Sequence, residues 1–500
     1  MRNVIDLQMK FGEVSIPDIK FDLRSRDEIP KLLQGLQQIY CNGELRKQVF
    51  DILEGIIPDN IDFSNGRKGM DLWKIFVLGI VRLGCGWDYD KLLEIANNHK
   101  TLRQMLGHGP MDWDTTYALQ TLKDNVFLLT PDVLDRINQV IVKYGHRLVV
   151  KKKEQSLKGS CDSFVVETDV HYPTDINLLF DALRKIITLV MQLCCEMNIG
   201  GWRKGWGNIK KVKKLFRHAQ QLKRSTSKDP EKKAKRQALI IKAHQAYTDL
   251  AQSFIERVKE TIARLHFGDA VIALKRQEID KYIRHAERQI DQIRRRVVVG
   301  ETIAHHEKVF SIFEEHTEWI SKGKAGVPQE LGLRVCILKD QYGFILHHHV
   351  MQNQTDDQVA VSMVRGAKQR FPYLSSCSFD KGFHSPANQK ELKSVLERVI
   401  LPKKGKLSLK DKEVEYTEEF IRARRKHSAV ESTIHALENN GLGRCPDHGI
   451  KGFKRYVALA VLARNIHIVG NIVQQKELKR QKRRHKQQFV NSKWPYQQAA

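Results

Sequence analysis

Three carboxylates in this chain stand where phosphodiester chemistry would need them. Glu431 lies in residues 416–440, where Phe420, Ala423, Val430, Ile434 and Leu437 recur at three- and four-residue steps. That period predicts one amphipathic helix, opened by Thr417 as N-cap and by Glu418 and Glu419 in its first turn. Rotated about 100° from the apolar stripe runs a polar file: Arg424, Ser428, Glu431, His435 and Glu438. Arg424, Arg425 and Lys426 place cations one to two turns before the Glu. Asp380 follows the short strand-like run Ser376-Cys377-Ser378-Phe379. Asp162 and Asp169 flank the β-branched, aromatic run Phe164-Val165-Val166. Two-metal hydrolysis or transesterification needs such a set, because two cations about 3.5–4 Å apart must share carboxylates, one activating the attacking oxygen and one the leaving oxygen. Mg²⁺ takes oxygen ligands and keeps several waters, so a few acids suffice if a rigid sheet holds them.

The elements that must carry these acids read as an α/β arrangement. Residues 1–150 read as helical: Asp71 opens a helix that Gly84 and Gly86 end, and Thr130-Pro131 opens another that Gly145 closes. The pattern around 89–98 and 115–127 also fits a helix-turn-helix. Lys151-Lys152-Lys153 begins a polar connection to the first strand, Phe164–Val166. Tyr172-Pro173-Thr174-Asp175 is a turn and helix start, with Asp175 as cap. From about 176 to 318 the chain is helical and very basic. Strands follow at 331–338 and 343–350, a helix at 357–369, then the strand ending at Asp380. Ser385-Pro386 caps a further helix, and Val399-Ile400-Leu401 is the last strand before the helix of Glu431. An apolar helix at 456–469 packs the core, and Lys476 to Lys486 reads as a disordered basic tail.

The charge balance says what such acids would act on. Lys and Arg number 85 against 58 Asp and Glu, a formal net charge of +27, and the pI is about 9.7. A polyanionic partner, nucleic acid, is the natural reading. No apolar run approaches the roughly 20 residues of a membrane span. Eight cysteines without CxxC pairs argue against a disulfide scaffold or a zinc ribbon, and Cys445 and His448 lack a second ligand pair. Trp202, Arg203, Lys204 and Trp206, then Lys210, Lys211, Lys213 and Lys214, set cations beside aromatic rings and are candidates for phosphate contact. Lys403, Lys404, Arg424, Arg425 and Lys426 are further DNA-contact candidates.

Taken together, residues 162–175, 378–385 (Ser378-Phe-Asp380-Lys-Gly-Phe-His-Ser) and 426–432 (Lys426-His-Ser-Ala-Val-Glu431-Ser) resemble, in order and in surrounding secondary structure, the blocks of DDE transposases from bacterial insertion sequences. Ile320-Ser-Lys-Gly-Lys-Ala-Gly also fits the family's pattern. The resemblance implies a ribonuclease H-like mixed sheet with flanking helices, an all-helical N-terminal DNA-binding domain (1–150), a catalytic domain (155–470) interrupted after its first strand by the helical insertion at about 176–318, and a basic tail (471–500). It implies Asp162, Asp380 and Glu431 as the acidic triad holding two Mg²⁺ ions, with Mn²⁺ able to substitute and Asp169 as the alternative to Asp162. Asp162 and Asp169 are seven apart, so one regular strand turns them to opposite faces. Implied too are binding of the element's terminal inverted repeats, strand cleavage and transfer into target DNA by a homo-oligomer, in a bacterial cytoplasm and without a membrane. A non-catalytic DNA-binding descendant of such an enzyme is the alternative. Two departures stand out: Glu438 occupies a place where related transposases often carry a basic residue, and Asp380 lies 218 residues after Asp162 because the helical block interrupts the sheet after its first strand.

Overall fold

The computed structural model describes residues 2–6, 8–9, 11–57, 69–112, 114–149, 156–264, 270–321 and 329–493. The connection Lys151-Lys152-Lys153 and most of the segment beginning at Ile320 lie outside the described residues. Two compact units emerge, residues 1–169 with 320–500, and residues 170–319.

In the first unit, strand β1 (Leu157–Thr168) is longer than the Phe164–Val166 run and forms the centre of a mixed sheet. After β2 (Glu318–Ser321) come β3 (Gln329–Lys339) and β4 (Ile345–Val350), then β5 (Leu374–Phe379), β6 (Arg398–Ile400) and β7 (Arg444–Cys445). The strand order is β2-β3-β1-β5-β6, with β4 on β3 and β7 on β1. The β1–β3 and β3–β4 pairs are antiparallel; β1–β5, β5–β6 and β1–β7 are parallel. The β3–β4 turn is set by Asp340, whose Oδ1 accepts from the Tyr342 and Phe344 amides at 2.8 and 3.0 Å. Gly343 sits there at φ +91°, a conformation that excludes most side chains.

Among the described residues seven α-helices precede the sheet: α1 (Glu28–Cys41), α2 (Gly43–Glu54), α3 (Leu72–Gly84), α4 (Tyr89–Asn98), α5 (Lys100–Met105), α6 (Leu119–Val126) and α7 (Pro131–Val149). Asp71 stands at the N-cap of α3 without accepting an amide and pairs instead with Lys74 at 3.0 Å. Gly145 does not close α7. The helix runs on to Val149, and the glycine is where the Phe344 ring lies against it; a Cβ there would meet that ring at 2.3 Å. The seven helices, expected as a domain of their own, share one apolar core with the sheet.

The insertion contains α8 (Asp175–Glu196), α9 (Gly205–Gln221), α10 (Pro230–Ala263) and α11 (Ala270–Ile293), closed on a separate core that includes Leu179, Leu183, Ile187, Tyr247, Ile255 and Ile283. Its first helix is capped by Thr174, whose Oγ1 accepts from the Asn177 amide at 3.2 Å. Asp175, expected as the cap, lies one residue inside and pairs with Arg296 at 2.9 Å.

The remaining helices return to the first unit: α12 (Asp356–Arg370), α13 (Pro386–Val395), α14 (Leu409–Glu415), α15 (Glu418–His427), α16 (Ala429–Leu437) and α17 (Gly449–Lys493). α17 is the central helix of that core. Its Asn465, fully buried, donates to Asn138 Oδ1 at 2.7 Å and to the Ile345 carbonyl at 2.9 Å, and accepts from the Ile345 amide at 2.9 Å. One amide thus ties α7, β4 and α17 together with every hydrogen bond made. Two expectations change here. The basic stretch from Lys476 to Lys486 continues α17 as helix rather than forming a disordered tail. And α17 has an apolar window long enough to cross a membrane by length and composition, but 72% of it is buried in the core, which accounts for its character.

Candidate active site

Strand register sets the first two acids. In the parallel β1–β5 ladder Cys161 stands beside Phe379 as the last pair, so Asp162 and Asp380 are the residues that follow it on the two neighbouring chains. Asp162 is half-buried in the middle of β1; Asp380 is exposed just past the end of β5. Asp169 lies beyond β1, exposed, with Oδ1 3.6 Å from Arg444 Nη1, a partner remote from Asp380 in the sheet. Neutralising Asp169 to Asn should therefore leave DNA cleavage within about twofold of wild type in a gel assay, at the scale of a surface ion pair. A loss matching that of Asp162→Asn would make Asp169 the first acid.

Glu431 arrives from a broken helix. Residues 416–440 were expected to form one continuous helix, but α15 ends at His427 and α16 starts at Ala429. Ser428 is the break: its Oγ donates to the Arg425 carbonyl at 2.8 Å, and its own carbonyl is taken by the Glu431 amide at 3.1 Å, three residues on. A serine hydroxyl competing for a helix carbonyl favours such a bend. Glu431 is thereby moved into the first turn of α16, where the helix dipole stabilises a carboxylate. Val430, Ile434 and Leu437 bury the neighbouring face, and α16 packs on β1. A π-type turn, Glu438–Leu442, follows, so Glu438 stands at the end of the helix, half-buried.

The electrostatics tie the three acids together. Burial first, and then the charges of Asp380, Asp356 and Glu431, together push the Asp162 carboxyl up to about 7, against the Ser163 amide that donates to its Oδ1 at 2.8 Å. Asp356 was not singled out from sequence. It opens α12, and its Oδ1 accepts from Ser163 Oγ at 2.6 Å. The box formed by Thr355 and Gln358 marks a helix start in the sequence, but nothing there shows that this start faces β1. His427, at the end of α15, has Nδ1 3.0 Å from Ser378 Oγ. Burial holds its pKa below the ordinary histidine value despite the neighbouring Asp380 and Glu431.

The family comparison adds to this geometry. Residues 286–466 match the model of the transposase DDE domain. The chain carries a transposase DDE domain. Comparison with curated proteins and with solved structures returns no match. The matched span includes Asp380 and Glu431, while β1 with Asp162 precedes it. The carboxylates of Asp162, Asp380 and Glu431 suit a hard divalent cation in kind, since such a charge would offset the repulsion and burial felt at Asp162. Among the described residues no three His, Cys, Asp or Glu side chains are already gathered around a common point. A cation that keeps most of its waters does not require such a cage.

The cationic candidates divide. Arg424, Arg425 and Lys426 are exposed in the last turn of α15, where the helix C-terminus also favours them. Lys404 is exposed. Lys403 is a correction: its Nζ lies 2.5 Å from Asp411 Oδ2 and its amide donates to Glu415 Oε1 at 2.7 Å, so it braces α14. In the insertion Arg203, Lys204, Trp206, Lys210, Lys211, Lys213 and Lys214 are all exposed. Trp202 is the second correction. It is 2% exposed, donates from Nε1 to Thr261 Oγ1 at 3.0 Å and lies under the Arg257 guanidinium, 4.5 Å from the ring centre. An indole so placed belongs to the core of the insertion. Trp202→Ala should cost about 3–5 kcal/mol in denaturant unfolding. Neutralising Lys210, Lys211, Lys213 and Lys214 together should instead leave stability nearly unchanged and reduce the salt slope of DNA binding by up to about 0.9 per lost phosphate contact. A Trp202→Ala variant of unchanged stability would restore the ring to the contact surface.

Proposed function

We propose that this chain is a transposase whose catalytic domain, ribonuclease H-like in fold, cuts the ends of its element and joins the freed 3′-hydroxyls to target DNA in a divalent-cation-dependent reaction. The observation that carries the reading is the approach of Asp162 on β1, Asp380 just past the end of neighbouring parallel β5 and Glu431 at a helix start, close enough that the charges of Asp380 and Glu431 are felt at Asp162. The sheet supports it as well: three antiparallel strands, β1, β3 and β4, continue into parallel β5 and β6, the order of a ribonuclease H-like core.

In this reading Asp162, Asp380 and Glu431 hold two Mg²⁺ ions, or Mn²⁺ in their place. When bound, the cations supply activation of the attacking oxygen and stabilisation of the leaving one. The sheet fixes Asp162 and Asp380, and the first turn of α16 fixes Glu431, so the carboxylates need no rearrangement as charge develops. Ser163 orients the neighbouring acids, donating from its amide to Asp162 and from its hydroxyl to Asp356. Arg424, Arg425 and Lys426 would meet the phosphates of the end DNA, and the exposed lysines of α9 would add sequence-independent affinity.

The test is a cleavage assay on a duplex carrying the inverted repeats that flank the coding DNA. Cleavage is expected with Mg²⁺ or Mn²⁺, to survive a zinc-selective chelator and to stop in excess EDTA. Persistence in EDTA would remove the cation-dependent mechanism, and binding without cleavage under every cation would leave a DNA-binding protein.

A further inference from the structure

Lys339 is a buried cation that the proposed triad does not use. It ends β3, is 8% exposed, and stands opposite Ser160 in the β1–β3 register. No carboxylate among the described residues forms an ion pair with it. The adjacent Asp340 is occupied elsewhere, by His146 Nε2 at 2.6 Å and by the two amides of the β3–β4 turn. Its ammonium instead donates to the carbonyl of Ala429 at 2.5 Å. Ala429 is the first residue of α16, two before Glu431.

An ammonium withdrawn from water without a counter-ion costs stability, and a leucine or methionine would fill the same volume at no such cost. The lysine gains one thing an apolar residue cannot supply, a charged hydrogen bond to a backbone oxygen at the start of a helix. That bond crosses from the sheet to the α15–α16 break. On the other side of the break His427 is held to Ser378, whose hydroxyl lies 3.0 Å from that of Ser160. Both residues flanking Ser428 are therefore tied to strands of the sheet, and the charge of Lys339 is felt at His427. A bend with a free serine would leave the first turn of α16 able to move, and Glu431 with it.

We propose that Lys339 is a positioning residue of the active site, pinning the first turn of α16 to the end of β3 so that Glu431 is held beside Asp162 and Asp380. The inference rests on the transposase reading for its functional half and on the geometry alone for its structural half.

Two measurements on Lys339→Met and Lys339→Arg separate the halves. The first is native-state hydrogen exchange, comparing residues 429–437 with the helix Asp356–Arg370 in the same protein. In Lys339→Met the α16 amides should exchange at least roughly tenfold faster while the reference helix is unchanged, and Arg, which keeps a charged donor, should restore most of the protection. The second is DNA cleavage against Mg²⁺ concentration. Lys339→Met should raise the half-saturating Mg²⁺ by roughly tenfold, a loosened first ligand set, with Arg again restoring it. Unchanged exchange in α16, equal acceleration in both helices, or a Met variant that does not fold would each make Lys339 an ordinary structural residue and overturn the proposal. Faster exchange with an unchanged Mg²⁺ requirement would overturn its positioning role. If Glu431→Gln cleaves like wild type, the transposase site itself falls, whatever the exchange data say.

Discussion

Replacing Glu431 by Gln is expected to abolish strand cleavage while leaving the protein folded and bound to its DNA. The amide keeps the size and the place in the first turn of α16, but removes one of the three negative charges that would hold the cations. Both activation of the nucleophile and stabilisation of the leaving oxygen depend on those cations, so cleavage should fall by roughly 10³-fold or more, about 4 kcal/mol of barrier. Affinity for end DNA should stay the same or rise slightly, because a charge that repels phosphate is gone. Glu431 is exposed and makes no contact that the fold requires, so its melting temperature should not drop. Parallel gel-shift and cleavage assays decide the matter. Binding and cleavage lost to the same degree would mean that α16 serves the fold and not the chemistry.

The second large effect is on stability, and its sign is unusual. Asp162→Asn should stabilise the cation-free protein at pH 8. In the unfolded chain this carboxyl ionises near 3.9. In the folded protein burial, with help from Asp380, Asp356 and Glu431, raises it to about 7. Between those values the native state holds a proton that the unfolded state has released, so stability falls as pH rises through the window and the loss is complete above about 7. Asn carries no such penalty and can still accept the Ser163 amide. In EDTA the variant should gain on the order of 2–4 kcal/mol at pH 8, shrinking steadily toward pH 4. Adding Mg²⁺ or Mn²⁺ should raise the melting temperature of wild type by mass action and leave the variant nearly unmoved. A variant no more stable at pH 8 than at pH 4 would mean that Asp162 is not under this strain.

The two effects belong together. A site that gathers carboxylates without their cation is held at the expense of stability, and the fold tolerates it because β1 lies at the centre of a sheet paired on both sides.

How much of this was legible in the sequence differs from element to element. Local chemistry carried its own signature wherever neighbours along the chain decide the outcome. Ser385 and Pro386 start α13 as their types require, with Ser385 Oγ accepting from the Asn388 amide at 3.1 Å. The Tyr89–Asn98 helix and the apolar stripe of Val430, Ile434 and Leu437 follow from helical periodicity alone. The net charge, the order of the acids and the separation of a basic helical block from the sheet are likewise properties of the linear chain. What depends on contacts distant in sequence was decided only in three dimensions. Gly145 reads as a helix stop until Phe344 is seen packed against it. Trp202 beside lysines reads as a DNA contact until Thr261 and Arg257 enclose it. Composition around β1 does not separate Asp162 from Asp169, which only the family resemblance ranks; in three dimensions Asp162 directly follows the last β1–β5 pair, Cys161 with Phe379, while Asp169 lies beyond the far end of β1. The break at Ser428 is likewise not visible in the periodicity, and residues distant in sequence, Lys339 and Ser378, bond to its two sides.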